Sequence, residues 1–104
     1  MSKIVSKNFS WDDANIESQG VVSFNIYYMK GGTVDYSSPK VSVPVVAGQV
    51  TYTLAVPAQL PLTEGQYQLG VSALDAAGNE SDIAVLNSPF DFTAPTAPVN
   101  LKVS

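Results

Sequence analysis

Apolar and polar residues alternate along most of the chain with a period of two, the signature of half-buried β-strands. Val22, Phe24, Ile26 and Tyr28 share one face of a predicted strand. Val50, Tyr52, Leu54 and Val56 share a face of a second, and Tyr67, Leu69, Val71 and Ala73 of a third. Phe9 and Trp11 mark a short N-terminal strand. Val41, Val43 and Val45 form a weaker set interrupted by Pro44, which cannot donate to a ladder and so indicates an edge strand or a strand end. A last strand is predicted from Ile83 to Leu86.

The punctuation supports this division. Gly31-Gly32, Ser37-Ser38-Pro39, Ala47-Gly48, Pro61 to Gly65 and Ala77-Gly78-Asn79 supply turn chemistry between the runs. Short strands separated by turns about every ten residues predict an antiparallel β-sandwich or small barrel. The sole helix-compatible stretch, Leu74 to Ala77, is too short to nucleate a helix.

Composition narrows the chemistry. The 104 residues, 45% hydrophobic and 13% charged, fit one folded domain. Cys, His and Arg are absent, which excludes disulfides, Cys/His metal sites, His acid–base catalysis and guanidinium clamps. Five Lys oppose nine acidic residues, so phosphate-rich nucleic acid and anionic membrane surfaces are disfavoured partners. No apolar run approaches the length of a membrane span, so membrane insertion is not expected, and residues 1–7 lack the apolar core of a secretory signal.

Three segments together resemble a fibronectin type III domain. Phe9-Ser-Trp11 is similar to the end of that family's strand B, and Phe24-x-Ile26-x-Tyr28 to its strand C. Tyr67 to Ser81 resembles strand F and the F–G loop. The resemblance covers about residues 8–92. It implies an immunoglobulin-like, seven-stranded antiparallel β-sandwich, with Trp11 in the core centre and the Tyr67 hydroxyl bonded back to the E–F turn. It also implies a non-catalytic spacer or interaction module of a larger extracellular or cell-surface protein, one of a tandem array, with no cofactor. Neighbouring domains or another protein would be its partners.

The family's strand A has no counterpart ahead of Trp11. Residues 94–104 instead carry a strand-A-like pattern, Pro98-Val-Asn-Leu-Lys-Val103. Residues 1–93 then form the sandwich, and 94–104 are a Pro-rich linker leading into a following repeat. Two readings stay open. The tail is a linker while Lys3 to Lys7 improvises as strand A. Alternatively, Val99, Leu101 and Val103 fill the strand-A position of a neighbouring copy, giving head-to-tail self-association.

Other candidate chemistry is sparse. Asp75, Glu80 and Asp82 bracket a loop, and Asp12, Asp13 and Glu17 follow Trp11. Neither set has the alternating acidic order of a calcium loop, and both read as solvated turns in which Asp75 or Asn79 bonds local backbone. Ser and Thr have no His base, and no Ser–x–x–Lys motif is present, so no enzymatic activity is expected. If Phe24, Ile26 and Tyr28 face the core, Tyr27 and Met29 face outward beside Gln68 and Ser72. That pair is the candidate contact for a protein or polysaccharide. Asn8-Phe-Ser10 and Asn79-Glu-Ser81 fit the glycosylation pattern, a pattern common by chance.

Overall fold

A computed structural model describes residues 3–103. The strands are β1 (Lys7–Asp12), β2 (Val21–Lys30), β3 (Lys40–Pro44), β4 (Thr51–Val56), β5 (Gly65–Asp75), β6 (Ala84–Val85) and β7 (Phe90–Phe92). A single helical turn, α1 (Ile16–Gln19), sits between β1 and β2. The strands form two sheets. One is the antiparallel pair β1–β4. The other runs β3–β2–β5, with β6 and β7 pairing with successive parts of β5. Seven strand segments among the described residues therefore occupy six ladder positions.

The inner faces of the two sheets meet in one core. Phe9, Tyr52, Leu54 and Val56 of the two-stranded sheet pack against Phe24, Ile26, Tyr67, Leu69 and Phe92 of the other. Leu60 and Leu62 close the core beneath the β4–β5 turn. The Tyr67 hydroxyl accepts the Thr63 amide at 3.1 Å, four residues upstream, which fixes that turn as the resemblance implied. Pro44 ends β3, the edge strand, where its missing N–H costs no ladder bond.

Three local departures from strict alternation have identifiable causes. The register of β2 against β5 shifts between Val21 and Ser23. This bulge turns Val21 inward and leaves Val22, expected in the core, 47% exposed. Val50 precedes β4 instead of belonging to it and is also exposed. The helical turn was not expected. Gly20, at φ 64°, ends it in the left-handed conformation and donates its amide to the Glu17 carbonyl, while Ile16 plugs the core. The helix-compatible stretch Leu74 to Ala77 is instead the end of β5 and a turn.

Lys3 to Ser6 form no strand, so they do not improvise as strand A. Ile4 alone packs against the core. Among the described residues, β1 has no partner on its outer edge. Trp11 is accordingly half-buried instead of lying at the core centre, stacked on Tyr52 at 5.8 Å and edge-on to Phe24 at 5.6 Å. β1 begins opposite Val56 and β7 ends opposite Gly65. The chain thus enters and leaves the sandwich at one pole. The segments 13–20, 45–50 and 75–80 gather at the other.

Trp11→Ala is expected to cost about 3 kcal/mol, the lower part of the range for large aromatic truncations because the ring is half-buried. Val50→Ala, at an exposed position, is expected to cost less than about 0.5 kcal/mol. Urea titration of both variants checks this, and equal losses would contradict the placement of the core.

Candidate functional site

Three places in the fold bring chemistry together. The first is a groove of about 680 Å³ at the pole opposite the chain ends. The α1 turn, the start of β2 and the β3–β4 connection wall it with Ile16, Val21, Val22, Val45, Val46 and Val50. Val22, Val46 and Val50 are each about half exposed. Among the described residues, Glu17 is the only charged one lining it. The bulge in β2 creates this wall, because it turns Val22 out of the core and onto the pole. The β3–β4 connection is held by Tyr52, whose hydroxyl accepts the Val46 amide at 3.1 Å and donates to the Gln49 carbonyl at 3.0 Å.

The second place lies on the outer face of the larger sheet. Tyr27 was expected to face solvent there as a partner contact. It is instead fully buried (0% exposed), because residues 34–38 and the loop after β5 fold over that face. Val34 donates its amide to Gln68 Oε1 at 2.7 Å, and the Tyr36 hydroxyl donates to the Ser81 carbonyl at 2.7 Å. Beneath this cover the Tyr27 hydroxyl donates to Glu80 Oε2 at 2.5 Å. Asn25 Nδ2 and the Ser72 hydroxyl donate to the same oxygen. Lys40 Nζ stands 5.7 Å from the centre of the Tyr27 ring. Met29 is half-buried on the same strand.

The electrostatics of this cluster follow from its geometry. Burial pushes the Glu80 carboxyl up. Hydrogen bonds from Ser72, Tyr27 and Asn25, with the nearby Lys40 charge, outweigh it and hold the carboxyl below its ordinary value. Burial, then the hydrogen bond to Glu80, pushes the Tyr27 hydroxyl up. The cluster is a locked polar patch whose donors all converge on one carboxylate oxygen. Sequence reasoning placed Glu80 in a solvated turn. The pointer to its role was the run of Asn25, Tyr27 and Ser72 on the face opposite the core.

The third place is the free edge of β1. A cleft of about 180 Å³ separates it from the facing sheet, with Trp11, Phe24, Val71, Ala73 and Ala84 in its lining and Asp12, Asp13 and Asp82 around it. The tail candidates Val99, Leu101 and Val103 are 77%, 87% and 102% exposed and line neither the groove nor the cleft. Asp75 does bond local backbone: its Oδ1 accepts the Ala77 and Asn79 amides at 3.0 and 2.9 Å. The Asn79 amide bond is the main reason its carboxyl is held below the usual range. Among the described residues, no group of three or more acidic side chains is arranged to hold a metal ion.

Two packed antiparallel sheets with a tyrosine tied to the preceding turn define an immunoglobulin-like module. The bacterial Ig-like domain family matches residues 3–91, and the chain belongs to that family. The likeness therefore holds at the immunoglobulin-like level, and the matching family is not fibronectin type III. Domains of this family are typically non-catalytic modules of larger surface proteins. No curated protein and no solved structure matches the chain.

The Glu80 cluster sets an acid response. A carboxyl held below its unfolded value contributes stability that is complete above the ordinary glutamate range and is lost as pH falls through the folded value. Glu80→Gln should therefore flatten the stability profile below about pH 4.3, where an ordinary glutamate titrates. Tyr27→Phe should weaken the fold at neutral pH while leaving a smaller acid response. Thermal melts across pH 2–7 measure both, and an unchanged acid limb in Glu80→Gln would contradict the cluster.

Proposed function

We propose that this domain is a non-catalytic structural spacer in a larger extracellular or surface protein, joined in series to further modules. The observation that carries the reading is the apolar pole. Val22, Val46 and Val50 present a valine-walled groove at the end opposite the chain exit. An apolar seat at the pole away from both chain ends suits the base of a preceding module stacked on it, with the connector running down the side of the sandwich. The segment 94–98, with Pro95 and Pro98, favours an extended connector that limits the angle between neighbours. Membership of the bacterial Ig-like family supports the surface location. No helix among the described residues is long and apolar enough to cross a membrane.

The alternative of a polysaccharide- or protein-binding module draws on an outward Tyr27/Met29 face or on the loops. With Tyr27 buried beneath Tyr36 and Glu80, that face offers no aromatic platform from this residue.

Two copies linked in series through residues 94–104 should show one module melting about 4–8 °C above the single domain, the shift expected from about 1 kcal/mol of interface. Val46→Asp in the second copy should remove that gain and leave the single domain's melting unchanged. Identical melting of single and linked domains would reject the groove as a seat for a neighbour.

A further inference from the structure

We propose that the free edge of β1 accepts Val99–Val103 of a second copy of this chain as an added antiparallel strand. The proposal goes beyond the spacer reading, because it assigns a specific acceptor edge and a specific donor segment.

The acceptor is defined by backbone direction. The Asp13 amide bonds to the Val50 carbonyl at 2.9 Å, continuing the β1–β4 register. In an antiparallel pair, hydrogen-bonded and non-bonded positions alternate. Trp11, Phe9 and Lys7 therefore direct their N–H and C=O groups at β4, and Asp12, Ser10 and Asn8 direct theirs outward. Two independent contacts agree with this phase. Ala55, opposite Asn8, turns its amide away from β1 to Gln59 Oε1 at 2.9 Å. Ser10 and Thr53 side chains meet at 2.9 Å, as they do in the closer, non-bonded pairs. The outward groups form an unpaired ladder beside the cleft that leaves Trp11 half-covered.

The donor matches that edge in pattern and charge. Val99, Leu101 and Val103 alternate with Asn100 and Lys102, so an extended segment presents three apolar side chains to the cleft and two polar ones to solvent. Lys102 is the only charged residue from 93 to 104; with Val99 level with Asp13 and Leu101 with Trp11, it falls opposite Ser10 on the solvent side, one diagonal from Asp12. In the single copy, Asn100 sits at φ 59°, a conformation asparagine tolerates, so the segment becomes a strand only on pairing.

The same chain does not easily supply its own donor. An antiparallel strand must start near Asp12, level with Ala73, whereas β7 ends level with Gly65. That separation is about 26 Å at roughly 3.3 Å per residue. The seven residues from Phe92 to Val99 reach about 24 Å fully stretched, before any reversal of direction. The molecule is 68 Å in its longest dimension, against about 36 Å for the length of β5, so the tail projects away from its own sandwich. Donation from copy to copy is head-to-tail and produces open chains or rings.

Light scattering on the full chain over a concentration series tests this. The expected result is a mass that grows with concentration, beginning from 11.0 kDa. Leu101→Asp should hold the chain at that mass throughout, with the circular dichroism and melting of the dilute parent, because residue 101 is exposed in the single copy. Lys102→Asp should raise the concentration needed for assembly about tenfold at low salt and less at high salt. A parent that stays monomeric to millimolar concentration overturns the proposal. So does assembly that persists in Leu101→Asp, which would place the contact elsewhere. A monomeric parent whose melting falls in Leu101→Asp would also overturn it, since the tail would then pack on its own domain. The linked-copy melting with Val46→Asp reads the groove separately, so the two readings fail independently.

Discussion

The pairing of β2 with β5 is the constraint on which the rest of the molecule depends. These two longest strands share a register from Phe24–Ala73 to Lys30–Tyr67, and they are covered on both faces. Ile26 and Tyr27 are adjacent, point to opposite faces, and are both fully buried. One face is covered by β1 and β4. The other is covered by residues 34–38 and the loop carrying Glu80. Burying a tyrosine hydroxyl and an asparagine amide on the second face is tolerable because one carboxylate oxygen accepts from both. The loop after β5 is thereby tied to the sheet it covers.

Much of this was legible in the sequence because alternation reports one-sided burial well. The faces of Phe24–Ile26–Tyr28, Tyr52–Leu54–Val56 and Tyr67–Leu69 fall where period-two reading puts them. Alternation cannot report burial on two sides, so it assigned Tyr27 to solvent. A period-two reading also cannot foresee a bulge, and one extra residue at Val21–Ser23 reversed the faces of Val21 and Val22. The last strand was predicted across Ile83–Leu86. The structure keeps only Ala84–Val85 of it as β6 and adds β7 at Phe90–Phe92, where three residues are too few for alternation to be read. The α1 turn did carry a cue in Gly20, but four residues are below the length at which helical periodicity can be read.

The candidate sites were less legible than the fold for a related reason. The groove is assembled from three separate segments, and its valines look like ordinary strand residues in the sequence. The Glu80 cluster needs a loop to return onto β2, a contact 53 residues apart for Tyr27. The tail pattern, by contrast, was visible at once, because a short amphipathic strand needs no tertiary context to be seen. What the sequence could not show was the phase of the free β1 backbone beside the cleft.

The position of the two chain ends has a mechanical consequence. Because β1 starts and β7 finishes at the same pole, tension applied to those ends alone would peel the strands apart one hydrogen bond at a time. A strand laid antiparallel along β1 brings the incoming chain to the opposite pole. Tension would then run along the length of the module, and the bonds between the added strand and β1 would be loaded together in shear. Occupancy of a single edge thus decides whether the sandwich hangs from a line or forms a link within it.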